Sequence, residues 1–129
     1  MATLKRAVPV LHVAHSAAAA KFYCGRLGFR EDFAYRPTSA QDPCYMGLRR
    51  DAAELHLSSF AGDGGPGGLA YLLVDDVDAL HEELRQAGVR VEMPPTDQSW
   101  GNREMYVRDA DGNKLAFVQP AADSGTREG

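Results

Sequence analysis

Two periodicities organise the chain. Along 29–36, Phe29, Phe33 and Tyr35 alternate against Arg30, Asp32 and Arg36, whereas Val77, Leu80, Leu84 and Ala87 recur every three to four positions. The first pattern predicts a half-buried strand and the second a helix with one apolar face. Upstream, AVPVLHV (7–13) reads as a strand. Ser16 offers an N-cap oxygen to a helix over AAAAKFYCGRL, which Gly28 closes. YMGLRR and AELHLSS add two short strands split by a polar turn at Asp51, completing a β-α-β-β-β unit. A second set follows: the strand LAYLLV, a helix capped by Asp76, then VRVEM, REMYVR and KLAFVQ. The last two are joined by DADGN, where Gly112 and Asn113 tolerate positive φ and predict a tight hairpin.

The two sets are copies of one another. RLGFRE (26–31) lies sixty positions before QAGVRV (86–91), and the same shift sets Gly28 on Gly88, Asp51 on Asp111, Leu55 on Leu115, His56 on Ala116 and Leu57 on Phe117. Upstream of the helices the shift is sixty-one. Two copies with so long a period are an ancestral duplication and not a solenoid. The expected fold is therefore α+β: two tandem β-α-β-β-β modules forming a curved mixed sheet around a cleft. Module one covers 5–60, a glycine-rich linker AGDGGPGG covers 61–68, and module two covers 69–119. Together they form one domain over 1–120, followed by a flexible tail, 121–129. The linker is no phosphate cradle, since neither Gly-Lys-Ser/Thr nor a helix start follows it.

Composition narrows the function. A chain of 129 residues with net charge −4 is one soluble-sized domain and a poor match to a phosphate backbone, so no nucleic-acid partner is expected. No apolar run of membrane-spanning length and no secretory signal is apparent, which predicts a cytoplasmic protein with no membrane partner. Cys24 and Cys44 form neither a disulfide framework nor a zinc pair. His15 reads as a loop or cap residue, and His81, among Glu82, Glu83 and Arg85, as part of a solvated helix face. Chemistry by contact is better represented: Phe33 and Tyr35 share a strand face, and Trp100 sits in the loop PPTDQSWG with no evident core partner. Such rings offer rigid area at little entropic cost.

The ordered series AVPVLHV, KFYCGRLGF, AELHL, YLLVDDVDALHEELRQAGV and PPTDQSWGNREMYVRDADGNKLAFVQP resembles the vicinal oxygen chelate superfamily, which includes glyoxalase I, extradiol dioxygenases and bleomycin resistance proteins, and most of all the bleomycin resistance branch. The resemblance spans 7–120. It implies paired modules around a concave cleft, a homodimer, and an N-terminal strand, near Pro9, exchanged between subunits. It also implies that aromatics at Phe33 and Trp100 grip the flat tail of a cationic glycopeptide antibiotic, which is sequestered unmodified. Enzymes of the superfamily hold a divalent metal, but the matching positions carry Val8, Leu69 and Ala116, and only His56 retains a ligand type. The expectation is thus a binding protein more than an enzyme, with no cofactor, no metal and no catalytic residue, and with Phe33, Tyr35, His56 and Trp100 as ligand-binding residues. The alternative is a metal-dependent lyase, isomerase or dioxygenase of the same superfamily, using His56 with Glu54 or His12. His12, His15, Asn102 and Ala110 depart from residues commoner in the branch.

Overall fold

The computed structural model describes residues 1–121; the expected flexible tail lies outside the described residues except for Ala121. The chain divides into two compact units, Met1–Pro66 and Gly67–Gly129. The first contains β1 (Val10–His12), α1 (Ser16–Gly25), β2 (Arg30–Tyr35), β3 (Tyr45–Arg50) and β4 (Ala53–Ser58). The second contains β5 (Leu69–Leu73), α2 (Val77–Gln86), β6 (Val91–Asp97), β7 (Arg103–Arg108) and β8 (Lys114–Gln119). Each unit has its own four-stranded mixed sheet, ordered β1-β4-β3-β2 in the first and β5-β8-β7-β6 in the second. In both, the first strand pairs in parallel with the last and the other pairings are antiparallel.

Period-two patterning sorts each sheet into two faces. In unit one, Leu11, Met46, Leu48, Leu55 and Leu57 are buried together with Ala19 and Tyr23 of α1. In unit two, Ala70, Leu72, Met105, Val107, Leu115 and Phe117 are buried with Val77, Leu80 and Leu84 of α2. The duplication reaches into backbone detail. Gly28 and Gly88 both have φ near +80°, and the next residue turns back onto the helix: Phe29 N–H donates to Tyr23 O, and Val89 N–H donates to Leu84 O. Only glycine adopts that conformation without strain, so the two glycines end their helices for one reason.

Three local expectations change, one of them in β6, which runs on through Pro94–Asp97 where PPTDQSWG is expected to be a loop. The first strand is shorter than 7–13, because Pro9 has no N–H to pair; its carbonyl accepts from His56 N–H and the ladder starts at Val10. Ser16 is the first helical residue of α1, not its cap. His15 takes the cap position without a side-chain bond, and Ser16 N–H donates instead to the carboxylate of Asp42, at 3.1 Å. A residue from the β2–β3 connection therefore caps the helix, a job that only tertiary folding could hand to it. In α2 the local rule holds: Asp76 accepts from Ala79 N–H at 3.0 Å.

Burial alone would raise the carboxyl of Asp42, but hydrogen bonds from the Ser59 and Ser16 hydroxyls and from Ser16 N–H, with His15 close by, outweigh it and hold the group below its ordinary range. Its contribution is present above the unfolded pKa and is lost as pH falls through the depressed folded value. Asp42→Ala should therefore destabilise the protein by about 1 kcal/mol near neutral pH, as loss of a cap does. Urea melts of the two proteins should converge as the pH falls through the depressed value at which wild-type Asp42 protonates. A gap independent of pH would assign the effect to packing.

Candidate functional site

In unit one the sheet face opposite the core carries a row across three strands, because the register sets Phe33 beside Gly47 and Gly47 beside His56. The Phe33 ring lies over Gly47; a Cβ built there would stand 2.1 Å from Phe33 Cε2. Tyr45 stacks on the same ring at 6.2 Å between centroids, and His56 meets it edge-on at 5.4 Å. Its ring is fixed at both nitrogens, with Tyr45 Oη 2.9 Å from Nδ1 and Glu54 Oε2 3.1 Å from Nε2. Since the carboxylate can only accept, Nε2 carries the proton, and in the neutral ring Tyr45 donates to Nδ1. Glu54 is in turn paired with Arg6 and, at 3.5 Å, with Arg49. Burial, and more weakly the charge of Asp63, raise the Tyr45 hydroxyl above its usual pKa, which keeps it a donor. Phe33 remains 44% exposed, so this wall is open to a ligand.

Unit two builds a different site from the same pattern. On β5, β7 and β8 the face away from α2 carries Leu69 and Tyr71, Glu104 and Tyr106, and Lys114 and Ala116. With Trp100 and Asn102 from the preceding loop they line an open cavity of about 270 Å³. Glu104 is only 4% exposed and accepts from Trp100 Nε1–H at 2.9 Å and from Tyr106 O–H at 2.7 Å. The bond to Glu104, with burial and the same negative charge behind it, raises the Tyr106 hydroxyl's pKa. Lys114 Nζ sits 3.8 Å over the centre of the Tyr106 ring. Asn102 Nδ2 donates weakly to Tyr71 Oη, at 3.4 Å.

Of the residues singled out by sequence, Phe33 and His56 come together, whereas Tyr35 stacks apart from them on Phe60 and Trp100 belongs to unit two. Tyr45, Gly47, Glu104 and Tyr106 escaped notice. The alternation in REMYVR does place Glu104 and Tyr106 on one face, but nothing local shows Trp100 turning back to meet Glu104.

A divalent metal does not fit the donors present. Val8, Leu69 and Ala116 offer none. Both nitrogens of His56 are engaged, and Glu54 is committed to arginines. The register places His12 opposite Ser58, while Val10 is opposite His56. Among the described residues no three His, Cys, Asp or Glu side chains gather as a metal site. The thiols are also poorly placed for chemistry, since burial raises both Cys24 and Cys44.

No curated protein sequence matches the chain. Solved structures do. A bleomycin-binding protein from bleomycin-producing Streptomyces verticillus, complexed with copper(II)-bleomycin, is 32% identical, with 95% of this chain and 99% of that one covered and a TM-score of 0.70. A bleomycin resistance determinant encoded on the transposon Tn5 shares 24% identity over 91% of this chain and 98% of its own, with a TM-score of 0.74. A superfamily member from Sphaerobacter thermophilus shares 22% over 90% and 98%, with a TM-score of 0.72. The last two speak for the fold alone. A family model matches residues 5–117, and the chain belongs to the glyoxalase/bleomycin resistance protein/dioxygenase superfamily.

Proposed function

We propose that the protein is a metal-free homodimer that binds a bleomycin-type or related antibiotic and sequesters it unmodified in the cytoplasm. The observation that carries this reading is what fills the two sheet faces: aromatic rings, with Phe33 set by ring contacts against a hydrogen-bonded Tyr45 and His56 in one unit and with Trp100 and Tyr106 hydrogen-bonded to Glu104 in the other, where a metal enzyme needs convergent free ligands. The relative at 32% identity, solved with copper(II)-bleomycin, supports the cargo. Exposed Leu69, Tyr71 and Leu73 on the edge strand β5 support association with a second copy. Residues before Val10 belong to no strand, which leaves them available as an exchanged arm. No helix among the described residues is long and apolar enough to cross a membrane.

Trp100 is the single tryptophan and reports directly on one of the two faces. Titration with bleomycin should change its fluorescence saturably, with micromolar or tighter affinity that weakens as salt screens the net negative charge. Mass spectrometry should recover the drug unaltered. Sedimentation at micromolar concentration should show a dimer. An unresponsive tryptophan with no heat of binding, a chemically altered drug, or a stable monomer would each defeat the corresponding part of the reading.

A further inference from the structure

We propose that Arg103 is a positioning residue for the ligand face of unit two: by clamping Asp78 of α2 and Asp97 of β6 it fixes the root of the loop that carries Trp100. Its effect on affinity rests on the antibiotic-binding reading, whereas its effect on the mobility of Trp100 rests on the geometry of unit two alone.

Backbone pairing ties that loop weakly to its sheet. β6 is an edge strand, Pro94 and Pro95 give it two consecutive positions without an N–H, and its register with β7 slips on both sides of Met93. The ladder reaches the loop through two residue pairs, Thr96 with Glu104 and Asp97 with Arg103. Within 98–102 the backbone closes on itself, Gln98 N–H donating to Asn102 O at 2.8 Å and Gly101 N–H to Gln98 O at 2.9 Å, so the turn is a unit that tilts about its root. Trp100 is mostly exposed, and its aim therefore depends on where the loop sits as well as on its bond to Glu104. Arg103 stands at that root. Alternation along β7 turns Glu104 into the cavity and leaves Arg103 on the opposite face, toward α2. Its Nε and Nη2 donate to the two carboxylate oxygens of Asp78, each at 3.0 Å, and Nη1 donates to Asp97 Oδ1 at 3.1 Å. The far anchor is itself fixed. Asp78 lies in the first turn of α2, whose start is held by the Asp76 cap and by Val77 N–H donating to Oε1 of Gln119, the residue opposite Arg103 in β8. A lone exposed ion pair contributes little, but a two-pronged guanidinium–carboxylate contact within a network is the geometry that does contribute. The hydrogen bonds from Arg103 also hold the Asp78 carboxyl below its ordinary range, so the clamp is charged at neutral pH.

Because the chain has a single tryptophan, the loop can be followed without any ligand, by the fluorescence anisotropy of Trp100 and its quenching by acrylamide. Arg103→Gln and Asp78→Ala should each lower the anisotropy, raise the quenching constant about twofold and weaken bleomycin about threefold. Arg103→Lys keeps the charge but not the fork and should fall between the wild type and Arg103→Gln. Glu82→Ala breaks another exposed pair on α2, the one with Arg85, and should leave Trp100 and bleomycin binding as in the wild type. Wild-type anisotropy and quenching in Asp78→Ala overturn the inference, as does a Glu82→Ala protein that loosens Trp100 equally. If Arg103→Gln does not fold, Asp78→Ala decides, since it changes an exposed helical position to the best helix former. A wild type that leaves bleomycin unbound sinks the proposed cargo, and the fluorescence of Trp100 alone then decides the clamp. Bleomycin held with wild-type affinity by variants whose Trp100 has loosened sinks the positioning role and leaves the cargo standing.

Discussion

Trp100→Phe should destabilise the protein more than Trp100→Ala, while weakening the antibiotic less. Trp100 is 57% exposed, and its indole N–H makes one of the two hydrogen bonds that the buried Glu104 accepts among the described residues. Phenylalanine keeps the carboxylate covered and removes the donor, and an unmade bond to a buried charged group costs about 1–3 kcal/mol. Alanine removes the donor but also the cover, so water reaches the carboxylate and replaces the bond; the cost should stay below about 1 kcal/mol. Binding follows the ring and not the bond. Alanine forfeits the aromatic face and should weaken bleomycin at least about tenfold, whereas phenylalanine retains most of it and should cost about threefold. Urea denaturation followed by circular dichroism, with calorimetric titration, gives both orders. A reversed stability order would mean that Trp100 does not shield Glu104.

Gly47→Ala should damage the unit-one wall about as severely as deleting Phe33 itself. The new methyl group would stand 2.1 Å from the ring of Phe33, far inside van der Waals contact. The ring is half exposed at the end of a rotatable side chain, so it swings outward and the backbone stays where it is. Stability should consequently change little, and much less than the 1–3 kcal/mol typical of overpacking a closed core. The stacked contact with Tyr45 and the edge contact with His56 are lost together, and bleomycin affinity should drop about tenfold. A double-mutant cycle isolates the cause: in a Phe33→Ala background, Gly47→Ala should have no further effect on affinity. Additive losses would show that Gly47 acts on the ligand by some route other than Phe33.

Both predictions concern residues whose roles are legible only across strands. Phe33 stands out in the sequence because it shares a strand face with Tyr35, and Trp100 because an aromatic side chain in a polar loop lacks a local reason to be there. Gly47 does not, since a glycine in YMGLRR is equally consistent with a bulge or a loose strand. Its function is to leave room for a ring arriving from β2, and that requires the pairing of Phe33 with Gly47. Likewise Ser16 stands where a local rule expects a cap, and the cap came from Asp42, twenty-six positions on.

The sequence by itself determined the order of strands and helices, the doubling of the unit, the glycines that end both helices and the loss of metal-binding side chains at three positions. The first three are properties of residue type and spacing along the chain, and the last is what the family resemblance implies at Val8, Leu69 and Ala116. The tertiary structure alone decided that His56 is locked between Tyr45 and Glu54, and that a buried carboxylate at Glu104 accepts from an indole and a phenol. The physical reason is that register and loop path bring side chains together at distances of a few ångströms, and local periodicity, which assigns a residue to a face, says nothing about which residue lies opposite it.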